Sequence, residues 1–353
     1  MKKITLSIII ILNTILLSTI FGQNQPYRVG TTACNFLEIG IGSAGNAMGD
    51  AYVSVSRDLS AIYWNPAGLS YLENNEVLFM YQPWLVNTNI GFAGAAIVLP
   101  QIGSLGLSIT SMDFGRTEVT TLDMQEGTGE TYAAGEYAIS FSYARKIVQW
   151  FGFGASAKWV SSKIWHVNAN ALALDLGVMI NTPFFSFSGK PENGMTIGMS
   201  IANYGTKIKY DGIDLLTAID ILPDENGNYR DLEGQYRMQG WELPLIFRVG
   251  VSIMPIVTES HQLILAADAL HPNNNSESIN LGAEYQLRAF GMGRIYLRGG
   301  YRGLFMDESQ FGLTLGGGIH LTLMRNRLIK IDYAYRNMGI LGNCSIYTIG
   351  VTF

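Results

Sequence analysis

From Glu76 onward, apolar and polar residues alternate with a period of two through most of the chain. In Ser278–Arg288, Ile279, Leu281, Ala283, Tyr285 and Leu287 fall on one face, with Ser278, Asn280, Glu284, Gln286 and Arg288 on the other. Phe311–Leu323 and Leu328–Arg336 repeat the pattern. Successive side chains of a strand point to opposite faces, so each segment reads as a strand with one apolar and one polar face. Fourteen strands are predicted, near 76–82, 90–99, 103–112, 135–146, 151–163, 170–181, 194–204, 242–253, 262–270, 278–288, 294–302, 311–322, 328–335 and 345–353. Residues 116–122 read as an extension inside a long loop. The clearest strands run about 9–13 residues. That exceeds the usual 5–6 and matches the 9–11 of a tilted strand that spans a bilayer.

The connections alternate too. Those after even-numbered strands are mostly short, as in Pro100–Ile102 and Ile147–Trp150, although Thr182–Asn193 is longer. Those after odd-numbered strands include the two longest, Asp113–Ala134 and Gly205–Trp241. Long loops outside and short turns in the periplasm are the outer-membrane pattern. An even strand count then predicts that both termini are periplasmic. Within Gly205–Trp241, Ile213–Leu222 is apolar enough for a short amphipathic helix that would cap the barrel mouth, contact the lipid surface or dock a partner, capping being the simplest role. Pro244 should sit at a strand start or bulge, because it lacks the ladder donor. The terminal strand alternates and ends on Phe353, which resembles the assembly signal of outer-membrane barrels.

Residues 40–72, GIGSAGNAMGDAYVSVSRDLSAIYWNPAGLSYL, interrupt this order, being rich in Gly, Ala, Ser and Asn with no sustained period. They are expected to form a plug inside the barrel, with residues 23–39 as an extended lead-in. The division is therefore 1–22 signal peptide, 23–74 lead-in and plug, and 75–353 transmembrane barrel. Lys2 and Lys3 followed by the apolar run Ile4–Phe21 carry the signal-peptide assignment. The fold class is all-β, a 14-stranded antiparallel outer-membrane barrel with an N-terminal plug.

Composition narrows the function. Charged residues make up only 14% of the chain and Gly numbers 40, and the net charge of −5 argues against a nucleic-acid partner. Gly40-Ile41-Gly42-Ser43-Ala44-Gly45 matches the dinucleotide fingerprint, yet no amphipathic helix or βαβ unit follows. The histidines, His166, His261, His271 and His320, are scattered without partners at metal-ligand spacing. No catalysis, cofactor or metal is expected.

Glu136, Lys146, Lys158, Asp175, Arg248, Glu284, Arg288, Arg294, Arg298, Arg302, Lys330, Asp332 and Arg336 fall on the polar strand faces. A charge facing lipid costs about 2–4 kcal/mol for Arg or Lys at the midplane, so these are assigned to the lumen. Arg294, Arg298 and Arg302 make a basic stripe at spacings of four. Two readings stay open. The stripe pairs with plug carbonyls, Asp58 or lumen carboxylates, or it holds an anionic headgroup such as that of a fatty acid. The two cysteines, Cys34 and Cys344, are expected to be free and buried.

The run Ala47-Met48-Gly49-Asp50-Ala51-Tyr52-Val53, followed by Asp58-Leu59-Ser60-Ala61-Ile62-Tyr63-Trp64-Asn65-Pro66-Ala67-Gly68, resembles the N-terminal region of PorV/PorQ-type outer-membrane proteins, which are similar to the FadL fatty-acid transporters. Gly49, Asp58, Trp64, Asn65, Pro66, Ala67 and Gly68 carry the likeness, and Asn65-Pro66-Ala67 resembles the NPA turn of the FadL hatch. At Ser56-Arg57-Asp58 the chain departs from the pattern, with Arg57 where a second acidic residue is common. The resemblance implies one of two roles. In the first, the barrel contacts outer-membrane lipid and binds cargo proteins or translocon components in type IX secretion. In the second, it is a FadL-like passive route for hydrophobic compounds, with a fatty-acid-like ligand.

Overall fold

The computed structural model describes residues 28–222, 224, 232–289, 293–323 and 327–353; the expected signal peptide, 1–22, lies outside these residues. In chain order the described strands are β1 (Glu76–Pro83), β2 (Asn89–Leu99), β3 (Gly103–Glu118), β4 (Thr131–Val148), β5 (Phe151–Ile164), β6 (Val167–Asn181), β7 (Thr196–Gly205), β8 (Asp211–Gly212), β9 (Leu216–Ile219), β10 (Leu232–Gln235), β11 (Ile246–Val257), β12 (His261–Pro272), β13 (Ser278–Ala289), β14 (Gly293–Leu304), β15 (Leu313–Leu323), β16 (Arg327–Asn337) and β17 (Asn343–Thr352). β1–β7 and β11–β17 pair antiparallel in one circuit. It closes where β1 meets β17, with Glu76 opposite Thr352, and where β7 meets β11, with Ala202 opposite Ile246. This is the predicted closed barrel of 14 strands.

The wall is apolar outside, and inside it combines buried apolar side chains such as Leu78, Met80, Ile90 and Phe92 with buried charges. Leu172 and Leu297 are each 61% exposed on the outer face, while Lys158 and Arg298 are 6% exposed inside and Arg336 is fully buried. Along β17, Tyr347, Ile349 and Val351 face out and Ile346 and Thr348 face in. An apolar outer band around an interior that holds this many buried charges is stable where the outer band meets hydrocarbon.

Three expectations need correction. The strand predicted from residue 242 begins at Ile246, because Pro244 withholds a donor and Leu245 N donates to Leu243 O at 2.9 Å in a tight turn. β3 and β4 run well past their predicted ends, and Val119 N still donates to Glu130 O at 2.9 Å beyond them. The helix expected over Ile213–Leu222 does not form. A single 3₁₀ turn at Ile213–Leu215 leads into β9, which pairs with β10 through Leu216 opposite Gln235. Apolar spacing in so short a run fits helix or strand, and the β10 partner decides for strand.

The lumen holds the segment before β1. It contains 3₁₀ turns at Asn35–Glu38 and Pro66–Tyr71 and short helices at Ser43–Ala47 and Ala61–Trp64. Its entry is at the long-loop end. There Ala33 N donates to Glu242 O at 3.0 Å and Asn274 Nδ2 to Thr32 Oγ1 at 2.9 Å, both partners lying in odd-numbered connections. Its exit is at the short-turn end, where Asn75 and Phe353 exchange backbone hydrogen bonds of 3.1 and 2.9 Å. The expectation that both chain ends emerge on one side therefore does not hold for the described residues. An even strand count fixes only the two ends of the wall, and the preceding segment crosses the lumen from one end to the other.

Candidate functional site

Trp64 anchors the lumen segment. It is 1% exposed, and its Nε1 donates to Ile41 O at 2.8 Å. Tyr52 and Tyr63 meet it edge-on at centroid distances of 6.0 and 4.8 Å. The glycines of the dinucleotide-like match belong to this contact. A Cβ on Gly45 would lie 2.6 Å from the Trp64 ring and one on Gly40 would lie 2.9 Å from it. Gly42, at φ +83°, supplies a turn that side-chain-bearing residues rarely adopt.

Asn65 ties the next turn to itself and to the wall. Its Nδ2 donates to Val53 O at 3.0 Å and to Val178 O on β6 at 2.9 Å, and its Oδ1 accepts from Ala67 N at 3.1 Å. The proline at the following position starts the 3₁₀ turn, where its missing N–H costs nothing. Wall glycines make room for this backbone. A Cβ on Gly154 would lie 2.3 Å from the Pro66 carbonyl carbon, and one on Gly177 would lie 2.1 Å from Asn65 Oδ1. Gly68 has its own close approach, 2.1 Å from such a Cβ to Ser56 O. Gly49, at φ +65°, passes Tyr301 N in the same way at 2.7 Å.

Many of the charges inside are paired, although buried Arg248 meets the hydroxyl and ring of Tyr63 instead. Asp50 accepts from Arg336 Nη2 at 2.6 Å and from Arg302 Nε at 3.0 Å. Arg336 also donates to Asn46. Arg298 bridges Glu284 at 2.6 Å and Asp332 at 2.5 Å, and His320 contacts Asp332 at 3.1 Å. Lys158 pairs with Asp175 at 2.6 Å, and Lys330 with Glu76 at 2.7 Å. Asp58 serves the segment itself, accepting from Ser60 N at 2.9 Å and Tyr52 OH at 3.1 Å. The departing residue of the motif, Arg57, reaches Thr196 Oγ1 at 3.3 Å and lies over the Tyr71 ring.

The three arginines of the stripe thus sit in different surroundings. Arg294 is exposed near the short-turn rim, Arg298 is mid-wall between two carboxylates, and Arg302 joins Asp50 and stacks on Phe311 at 3.9 Å. Sequence reasoning missed Asp50 as the carboxylate that meets Arg302 and Arg336. The signal was an acid beside Gly49 in an otherwise uncharged run, and Asp50 itself takes φ +65°. At the long-loop mouth, a cavity of about 390 Å³ lies above the segment between Phe36, Ile39, Trp84, Phe114 and Phe311, with Glu38 at its edge. Burial raises the Glu38 carboxyl above the ordinary range, against the pull of Asn274 and of the arginines 302 and 248. Burial also pushes the Cys34 thiol up, and neighbouring Glu136 adds to the effect. Both cysteines are free and buried.

A closed 14-stranded wall, a lipid-facing outer band and an ion-paired segment filling the lumen define an outer-membrane β-barrel with an internal plug. Solved structures agree on the fold. A crystal structure of a Pseudomonas aeruginosa FadL homologue is 12% identical, with 93% of this chain and 99% of that one covered at a TM-score of 0.52. The CymD monoaromatic hydrocarbon channel is 10% identical, covering 89% and 96% at 0.54. The P. putida toluene transporter TodX is 11% identical, covering 89% and 97% at 0.54. A search of curated proteins returns no match. The family model described as type IX secretion system protein PorV matches residues 22–219, which take in the lumen segment and β1–β7. The chain belongs to the PorV family.

Proposed function

We propose that this protein works at its long-loop face as a binding component of type IX secretion, holding cargo or translocon proteins at the outer membrane. The observation that carries this reading is the occupied interior beneath that face. The lumen segment is hydrogen-bonded and ion-paired to the wall, and the wall ladder closes on itself through all fourteen strands. What the long-loop end offers instead is apolar side chains on neighbouring connections. Val86 follows β1, Ile340 and Leu341 precede β17, and Phe305 follows β14, all exposed. Exposed apolar residues grouped at one end are what a protein-binding surface presents. In this reading the long loops face outward and Phe353, at the short-turn end, faces the periplasm, where it serves as the assembly signal.

The test replaces residues 213–235 by a short Gly-Ser linker. Surface proteins should then fail to reach the cell exterior while uptake of hydrophobic compounds is unchanged, and pull-down of the unaltered protein from outer membranes should recover secretion components or cargo. Loss of uptake with normal secretion would reverse the assignment.

A FadL-like transport role has one observation in its favour, the aromatic-walled cavity at the mouth. The fold likeness to the hydrocarbon channels bears on architecture alone. A co-purified hydrophobic ligand in that cavity would support it.

A further inference from the structure

The described short-turn connections between β2 and β3, β4 and β5, and β11 and β12 are two or three residues long. The connection between β6 and β7 is not, running from Thr182 to Met195. It exposes Phe184, Phe185 and Phe187, each by more than 60%. The loop is nonetheless built. Met195 N donates to Phe184 O at 2.7 Å, Thr182 N and Oγ1 both reach Met195 O, and Ser186 Oγ donates to Lys190 O at 2.6 Å. Asn193 Nδ2 closes the far side on Ser188 Oγ at 2.8 Å, and Asn181 Nδ2 donates to Glu192 O at 3.0 Å.

We propose that this loop is a membrane foot, its phenylalanines inserted in the phospholipid leaflet on the short-turn side. Three features commit it to lipid. The loop joins two strands whose outer faces, Leu172, Leu174 and Leu176 on β6 and Met199 and Ile201 on β7, are lipid-facing, so its apolar surface continues an existing membrane face. Phenylalanine, unlike Tyr or Trp, has no polar tip to hold at the water boundary, so it favours the acyl region below the headgroups. The N–H groups of Thr182, Gly189, Asn193, Gly194 and Met195 and the Ser186 hydroxyl bond within the loop, which lowers the cost of bringing that part of it out of water. Exposed Lys190, three residues beyond Phe187, can extend its ammonium to the phosphates while its stem stays among the lipids. The foot would hold one side of the barrel at fixed depth while the opposite end engages its partner.

The test uses the full chain, whose native thiols are buried, with F187C labelled by an environment-sensitive fluorophore in phospholipid nanodiscs that contain no other protein. F184C provides a second position and E259C, on the exposed β11–β12 turn, the aqueous reference. Labels at 187 and 184 should be quenched several-fold more strongly than the label at 259 by lipids doxyl-labelled at shallow acyl carbons. Aqueous iodide should quench the label at 259 more strongly. Iodide quenching at 187 and 184 equal to that at 259, with no doxyl effect, would overturn the proposal and mark the loop as a water-exposed surface available to a periplasmic protein.

Discussion

Asp50 accepts hydrogen bonds from Arg336 at 2.6 Å and from Arg302 at 3.0 Å, so one carboxylate of the lumen segment is bound to two strands of the wall. Arg336 is fully buried, and its Nε and Nη1 have no partner of their own, so its charge depends on Asp50 and Asn46. Breaking a buried pair leaves an uncompensated charge and costs about 3–5 kcal/mol. Asp50→Ala strands two guanidinium groups, whereas Arg336→Met leaves Asp50 paired with Arg302. Asp50→Ala should therefore lower the denaturation midpoint further than Arg336→Met. Unfolding followed by the heat-dependent gel shift of the barrel measures both, and the reverse order would refute this account of the cluster.

Close approach between wall and segment makes a second prediction. Gly154 faces the Pro66 carbonyl so closely that any Cβ would overlap backbone. The wall ladder at Gly154, opposite Ala144 and Gly177, does not need a glycine for its own pairing. Gly154→Val should leave a closed barrel but push the segment aside, seen as raised conductance across a planar bilayer with a normal gel shift. Conductance equal to the unaltered protein would mean that the segment yields without opening a path.

The wall was readable in the sequence because a period of two, sustained over long segments, has no competing interpretation. The lumen was less so. That Gly40 and Gly45 are fitted to the Trp64 ring, and Gly154 and Gly177 to the NPA turn, depends on what faces them across the barrel, which no local pattern contains. The same holds for Asp50, whose partners lie about 250 to 290 positions away, while Asp58 bonds locally to Ser60 and Tyr52. Ile213–Leu222 suits a helix in the sequence alone, because Leu232–Gln235, the strand partner of its Leu216–Ile219 part, lies beyond any helical window. The direction of the lumen segment was hidden for a different reason, since strand parity says nothing about residues before the first strand.

That direction is testable. Val29 sits at the long-loop end, exposed, and Glu259 at the short-turn end. With the native thiols buried, a membrane-impermeant maleimide should label V29C in intact cells and reach E259C only after the outer membrane is permeabilised. Labelling of E259C but not V29C would invert the barrel relative to the orientation proposed above.

The adjacent pair Leu297 and Arg298 tests the membrane assignment itself. Leu297 points outward and Arg298 points into the ion-paired interior, one residue apart on β14. On a water-facing surface Leu297→Arg would change stability by no more than about 0.5 kcal/mol. At the bilayer midplane it should cost about 2–4 kcal/mol. The comparison is the unfolding free energy of L297R against the unaltered protein, refolded into phospholipid vesicles. Arg298→Met should also destabilise, for the opposite reason, because Glu284 and Asp332 lose the cation between them. A near-neutral L297R in vesicles, with a strongly destabilised R298M, would leave the ion-paired interior intact while removing the lipid from around this part of the wall.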